Sequence, residues 1–279
     1  MGFKKVSTSI ILLSIIIISF FYWQNNDIVT TNINIENSKI PNSFDKFKIL
    51  QVSDLHNKEF GKKQEKLLKL TKEVNPNIIV VTGDAIDSRR TNMKITIEYL
   101  SQVAKTYPTY YVTGNHERRI NDYNEFEKML IKSRVKVLNN QYENIKIGNE
   151  EISLIGMKDI SFIKSKNKNI EYLNILNNIK KETNNNFTIL LSHRPDIIDV
   201  YSKSNVDLVF TGHAHGGQIR LPFTDGLFAP NQGLFPKYTS GKFKKYNTDM
   251  IVSRGLGNSL FPFRIFNRPE LIVTTLNKQ

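Results

Sequence analysis

No cysteine occurs among the 279 residues. That absence excludes a disulfide framework, thiolate zinc sites, iron–sulfur clusters and any cysteine nucleophile, so a bound metal would have to be held by His, Asp, Glu or Asn. Histidine is scarce, with five in all, and tryptophan occurs once. With 14 Gly and 9 Pro the chain has too little of either for a collagen-like or low-complexity protein. Acid is the minority charge: 26 Asp and Glu stand against 39 Lys and Arg, a net +13. Such a balance attracts anions, whether nucleic acid, phosphate-rich polymer or anionic lipid, without choosing among them. No internal repeat and no second linker interrupt the chain, and the polar run at 184–186 reads as a short loop. With 39% hydrophobic and 23% charged residues, the chain can bury the core of one large domain or two small ones.

Charge is missing altogether from residues 6–23, VSTSIILLSIIIISFFYW. As a helix this stretch is roughly 27 Å long, close to the thickness of a bilayer core. Lys4 and Lys5 precede it and no Lys or Arg follows until Lys39. The positive-inside rule then leaves the amino terminus in the cytoplasm and the remainder outside. A cleaved signal peptide is the rival reading. The apolar run exceeds a usual signal core, however, and ends in Phe20-Phe21-Tyr22-Trp23 with no small-residue cleavage site, which favours an uncleaved anchor. There is no twin-arginine pair before it, and Val6 stands where a myristoylation motif needs Ser or Thr.

Beyond Trp23 the pattern alternates as in an α/β protein. Residues 47–53 and 77–82 are apolar runs that flow into polar loops, as buried strands do. Between them Leu67, Leu70 and Val74 recur at helical spacing, and Asn75-Pro76 ends that helix. Helices are expected over 93–105, 123–133 and 170–183. Strands are expected over 109–113, 135–138, 142–147, 152–155, 187–192, 207–211, 250–253 and 271–276, with a first strand beginning near Val29.

Five strand exits carry the chemistry: Asp54-Leu55-His56, Gly83-Asp84 with Asp87, Gly114-Asn115-His116-Glu117, Ser192-His193-Arg194 and Gly212-His213-Ala214-His215. Loops at the carboxyl ends of strands in one sheet converge on one edge, so residues spread over about 160 positions can meet in one cleft. A lone histidine is more often a packing residue than a ligand. Here all five stand at strand termini beside Asp, Asn or Gly, which packing alone does not explain. Carboxylates, neutral imidazoles and an amide oxygen suit Mn, Fe or Zn. Asp84 can bridge two ions, an arrangement that clamps the attacking and leaving oxygens of a displacement at phosphorus. His116 directly follows a ligand, so its side chain should point elsewhere, and it is the natural general acid.

The ordered set D-x-H, G-D-x-x-D, G-N-H-E, a lone His after a strand and G-H-x-H resembles the calcineurin-like metallophosphoesterases. Gly212 to Gln218, Ser253-Arg254-Gly255-Leu256-Gly257 and Arg268-Pro269-Glu270 resemble the membrane-anchored bacterial branch of that family, some members of which carry the twin-arginine signal absent here. The resemblance implies a four-layer αββα sandwich of two mixed β-sheets, with residues 28–279 as the phosphoesterase domain. Residues 1–27 would hold a cytoplasmic end, the 6–23 span and a short linker. It gives Asp54, His56, Asp84 and His215 to one divalent ion, and Asp84, Asn115, His193 and His213 to the other. It assigns His116 to the leaving group or the transition state, and Asp87 to supporting the ligands, where a solvent-exposed turn Asp is the alternative. Arg118, Arg119 and Arg194 follow ligands and can fork onto a phosphate oxygen, although an Arg near a helix start is usually solvated. Phe223, Phe228, Phe235, Tyr238 and Phe243 alternate with Lys237, Lys242, Lys244 and Lys245. They read either as a loop pinned to the core or as a basic, aromatic flap that meets lipid headgroups.

The expected function is hydrolysis of an anionic phosphate ester at the membrane surface, on a lipid, a lipid-linked sugar phosphate or an envelope component. A nuclease or nucleotide pyrophosphatase is the alternative, supported only by the basic charge, and the anchor speaks against nucleic acid as partner. A non-catalytic binding protein on the same scaffold is disfavoured by the full ligand set.

Overall fold

In a computed structural model, residues 2–184, 187–221, 225–259 and 261–279 are described. Helix α1 runs over Gly2–Asn26, three residues past the apolar stretch, so the expected linker is largely helical. Strand β1 follows at Val29–Asn37, then β2 at Lys48–Val52, α2 at Glu65–Val74, β3 at Ile78–Thr82, α3 at Met93–Val103, β4 at Thr109–Val112, α4 at Tyr123–Lys132 and β5 at Lys136–Val137. The second half comprises β6 at Gln141–Ile147, β7 at Glu150–Gly156, α5 at Lys168–Glu182, β8 at Thr188–Leu191, α6 at Ile198–Lys203 and β9 at Leu208–Thr211. A small β10–β11 hairpin, Phe228–Ala229 with Gly233–Leu234, precedes β12 at Gly241–Lys245, β13 at Thr248–Val252 and β14 at Glu270–Lys278.

These strands form two six-stranded mixed sheets, ordered β1-β14-β2-β3-β4-β5 and β12-β13-β9-β8-β7-β6. In the first, β2 to β5 are parallel, β14 is antiparallel to β2 and β1 runs parallel to β14. In the second, β13, β9, β8 and β7 are parallel and the edge strands β12 and β6 are antiparallel. Every residue of β3, IIVVT, is buried, as befits a central parallel strand covered on both faces. Ile78 and Val80 face Ile189 and Phe210 in the core between the sheets. Ile79 and Val81 face the other way, toward Leu67, Tyr99 and Leu130 of α2, α3 and α4. Leu190, Val209 and Met250 pack against Tyr172, Leu176 and Tyr201 of α5 and α6. The result is the four-layer αββα sandwich. Asn75 adopts a left-handed conformation to end α2 ahead of Pro76.

One buried amide ties the sheets together where the site lies. Gln51 of β2 donates from Nε2 to Thr82 Oγ1 at 2.9 Å and to the Thr211 carbonyl in the second sheet at 2.8 Å. The expected loop at 184–186 lies outside the described residues at 185 and 186, as does Phe223 of the aromatic stretch. Of the rest of that stretch, residues 241–245 form an edge strand rather than a loop. Tyr238 and Phe243 pack on each other edge-on at 5.1 Å against the core, whereas Phe228 and Phe235 are exposed.

Candidate metal centre

The exits of β2, β3 and β4 from one sheet and of β8 and β9 from the other open onto a single cleft. Asp54, His56, Asp84, His213 and His215 all have positive φ, between 47° and 66°. This backbone region is uncommon for such residues, and its concentration here shows local preference yielding to side-chain placement. The turns interlock. The N–H groups of Asp54 and His56 donate to the carbonyls of Gly83 and Asp84, each at 3.1 Å. Gly212 carries no side chain because a Cβ there would stand 2.0 Å from Ser53 Oγ and 2.2 Å from Asp54 Oδ2.

All seven residues expected to be ligands meet there, each buried. His215 Nε2 lies 3.3 Å from Asp54 Oδ1 and 3.2 Å from His56 Nε2. His193 Nε2 lies 3.2 Å from Asp84 Oδ2 and 3.1 Å from His213 Nδ1. Asp84 Oδ2 is also 3.7 Å from His56 Nε2, so this carboxylate, a member of the Asp84-His193-His213 group, also faces the Asp54-His56-His215 group; His56, Asp87 and His116 form a third group of ligating type. His193 Nδ1 donates to the Thr82 carbonyl at 2.8 Å, which leaves Nε2 as a lone pair in the neutral ring. Asn115 Oδ1 is buried with no hydrogen-bond partner among the described residues.

Burial and charge pairing displace these groups in opposite directions. Burial pushes the Asp54 carboxyl up to about 6. Burial also pulls His56 down to about 3 and holds His213 and His215 well below the usual imidazole range. His193 goes the other way: burial is outweighed by Asp84 and Asp54, and the ring rises to about 10. Asp84 is likewise buried, yet His193, His116 and His56 hold it well below the ordinary carboxylate value. Facing imidazole nitrogens, buried carboxylates and an orphaned amide oxygen are the donor set of a cation site, and they fit divalent Mn, Fe or Zn.

His116 does not turn away from the group. Its ring meets His56 edge-on at 4.5 Å and its Nε2 lies 3.9 Å from Asp84 Oδ2, in the cleft. Its Nδ1 lies 3.5 Å from Asp87 Oδ1 and 3.1 Å from both the backbone nitrogen and the hydroxyl of Ser88. Asp87 is buried, not a solvent-exposed turn residue, and receives both Nε and Nη2 of Arg89. The cleft, of about 110 Å³, is further lined by Arg89, Arg119, Arg194, Pro230, Asn231 and Ser259. Arg194 reaches it, but its Nε and Nη2 are committed to Asp159 at 2.8 and 3.2 Å. Arg118 does not line the cleft; its exposed guanidinium lies over the Phe162 ring.

Sequence reasoning assigned no part to Glu117, Asp159 or Asn231. The Glu117 carboxylate accepts from the N–H groups of Gly114, Ala85 and Asp84 at 2.7, 2.8 and 3.0 Å and so joins the exits of β3 and β4. Burial and the neighbouring Asp84 push it up to about 7. Its place in the G-N-H-E motif was the available signal. Asn231, at the tip of the β10–β11 hairpin, donates to His213 Nε2 at 3.0 Å, a contact no local pattern announces.

Residues 47–217 match the calcineurin-like phosphoesterase family. The chain is 31% identical to the metallophosphoesterase YkuE of Bacillus subtilis (strain 168), over 89% of this chain and 85% of that protein. It is 29% identical to the phosphodiesterase YaeI of Escherichia coli (strain K12), over 82% of each. Among solved structures it resembles the protein TT1561 of Thermus thermophilus in fold, with a TM-score of 0.51, 13% identity, and coverage of 75% of this chain and 90% of that one.

Proposed function

The chain belongs to the calcineurin-like phosphoesterases, metal-dependent phosphoester hydrolases, and from that membership we propose a two-metal hydrolase acting on an anionic phosphate ester at a membrane surface. Asp54, His56, Asp84 and His215 would hold one ion, and Asp84, Asn115, His193 and His213 the other. The observation that carries this reading is the position of Asp84 Oδ2, within 3.7 Å of His56 Nε2 and 3.2 Å of His193 Nε2, in one group of ligating type and facing another. When bound, such ions supply Lewis-acid activation of water and of the phosphoryl oxygens.

The remaining chemistry belongs to the chain. Arg119 lines the cleft and attracts a phosphate oxygen, whereas Arg194, paired with Asp159, adds only its place in the lining. His116 holds a proton: burial lowers its affinity, but Asp87 and Asp84 together raise it above the ordinary imidazole value. With Nδ1 beside Asp87, the ring directs Nε2 into the cleft, where it donates to the departing oxygen. Alone among the described helices, α1 is long and apolar enough to cross a membrane, over Thr8–Asn26. The lysine asymmetry supports a single-pass chain with residues 1–5 cytoplasmic and the phosphoesterase domain, 28–279, outside.

The test combines metal analysis with turnover of bis(p-nitrophenyl) phosphate. Wild-type protein reconstituted with Mn, Fe or Zn should hold close to two ions and lose activity in chelator. His116→Ala should keep its metal and lose about 10²- to 10⁴-fold in turnover, whereas Asp84→Ala should lose both ions. Metal loss in His116→Ala with retention in Asp84→Ala would overturn the assignment.

A further inference from the structure

Outside α1, the large apolar side chains left exposed are concentrated in two loops. Phe228, Leu234 and Phe235 belong to the β10–β11 hairpin and its flank, and Phe261, Phe263 and Phe266 to the segment before β14; each of the six is between 39% and 69% exposed. Among the described residues Ile131, Ile147, Ile170, Leu221 and Tyr246 are exposed elsewhere, as is ordinary for a protein surface. A gathering of this kind is not ordinary. Phe235 and Phe266 also sit at φ of 51° and 50°, a backbone region that bulky residues rarely adopt.

The two loops are continuous with each other and with α1. Ile219 bridges to Ile265, the Leu227 N–H donates to the Ile219 carbonyl at 2.9 Å, and the Phe235 N–H donates to the Leu227 carbonyl at 2.9 Å. Phe263 packs on Phe21 at 5.4 Å and Phe266 on Phe20 at 5.6 Å. The end of α1 is docked, not tethered. Asn25 Oδ1 accepts from the Arg264 N–H at 3.0 Å and from Asn258 Nδ2 at 3.1 Å, and Arg268 lies over the Trp23 ring. Both loops also line the cleft, one through Pro230 and Asn231 and the other through Ser259.

Depth follows from the helix rise. If Trp23 takes the interfacial position favoured by that residue, Phe20 and Phe21 lie roughly 3 to 4.5 Å deeper. Phe263 and Phe266, stacked on them, are carried to the same depth. Left in water they would have no reason to be apolar; in the headgroup and upper acyl layer they replace lipid contacts.

We infer that the 261–266 loop and the 228–235 hairpin form a wedge bedded in the bilayer beside α1, so that the cleft between them opens on the headgroup layer and takes the phosphate of a membrane lipid. The inference rests on the reading of α1 as a membrane span. It gives the substrate phosphate a fixed depth, and it makes the wedge rather than the linker the element that orients the cleft.

The single tryptophan makes the test direct. Full-length protein is reconstituted in vesicles of phosphatidylcholine and phosphatidylglycerol, with either brominated acyl chains or aqueous iodide as quencher. Three proteins are compared: the wild type, Trp23→Phe with Phe263→Trp, and Trp23→Phe with Ile170→Trp. The indole introduced at position 263 should be quenched by brominated lipid and shielded from iodide, and that at position 170 the reverse. Quenching of Trp23 by brominated lipid, with iodide reaching the indole at 263, would overturn the wedge while leaving the anchor standing. That is also the outcome if a protein partner, not lipid, covers these aromatics. Failure of brominated lipid to quench Trp23 would remove the anchor and the proposal with it. In parallel, Phe261→Ser with Phe263→Ser should lose about tenfold on vesicle phospholipid and nothing on bis(p-nitrophenyl) phosphate. An equal loss on both substrates, or no loss on either, would overturn the proposal.

Discussion

Single side chains at the cleft are placed against their own backbone preferences, and the small residues beside them are what make this tolerable. Gly212 is the clearest case, since any Cβ there would collide with Ser53 Oγ and Asp54 Oδ2 together. Gly212→Ala should therefore displace Asp54. The expected outcome is a loss of about 2–4 kcal/mol in chemical denaturation, with weakened metal uptake in a titration of the folded fraction. That the residues proposed as ligands would meet in one cleft was legible in the sequence because each follows an apolar run that reads as a buried strand, and all five histidines share that context. Arg118 and Arg194 were less legible because adjacency to a ligand fixes neither direction nor partner. Arg118 faces outward over Phe162, and Arg194 is drawn to an aspartate 35 positions away.

That aspartate, Asp159, works between elements. It follows β7, accepts the fork of Arg194 beyond β8, and takes the N–H of Ser161, so it fixes how two neighbouring strand exits sit. Burial pushes its carboxyl up, but Arg194 and His193 outweigh burial and leave it below the ordinary aspartate value. A carboxyl depressed in the folded state stabilises at pH above its unfolded value, near 3.8, and that contribution is lost as pH falls through the folded value. Asp159→Asn should therefore cost about 3 kcal/mol at pH 7, and the gap to wild type should close progressively below pH 4 in urea unfolding. A gap that stayed constant to pH 2 would count against the pair. Among the elements, strand β12 and helix α6 escaped sequence reasoning for definite reasons. β12 reads GKFKK, an edge strand whose charged residues face water and whose flanking glycine and proline punctuation looks like a loop. α6 is six residues long, too short for an amphipathic period to declare itself.

For the molecule as a whole, net charge and the proposed membrane attachment would act together. The two lysines before α1 contribute +2 of the net +13, leaving +11 on the portion that follows. Held against a bilayer, such a charge concentrates anionic lipid within a Debye length, about 8–10 Å at ordinary salt. Hydrolysis of vesicle substrate should then fall steeply between about 50 and 500 mM salt, whereas turnover of a small soluble diester should fall much less. Equal salt slopes would remove electrostatic capture from the account. The pairing of β1 with β14 bears on the same end of the molecule. These strands lie side by side from Val29 beside Glu270 to Asn37 beside Lys278, and β14 alone joins β1 to the rest of its sheet. Contacts between residues so far apart in sequence form late, because the intervening chain must close before they contribute. During synthesis β1 therefore has no partner in this sheet until β14 has been made, and an early strand waits on a late one.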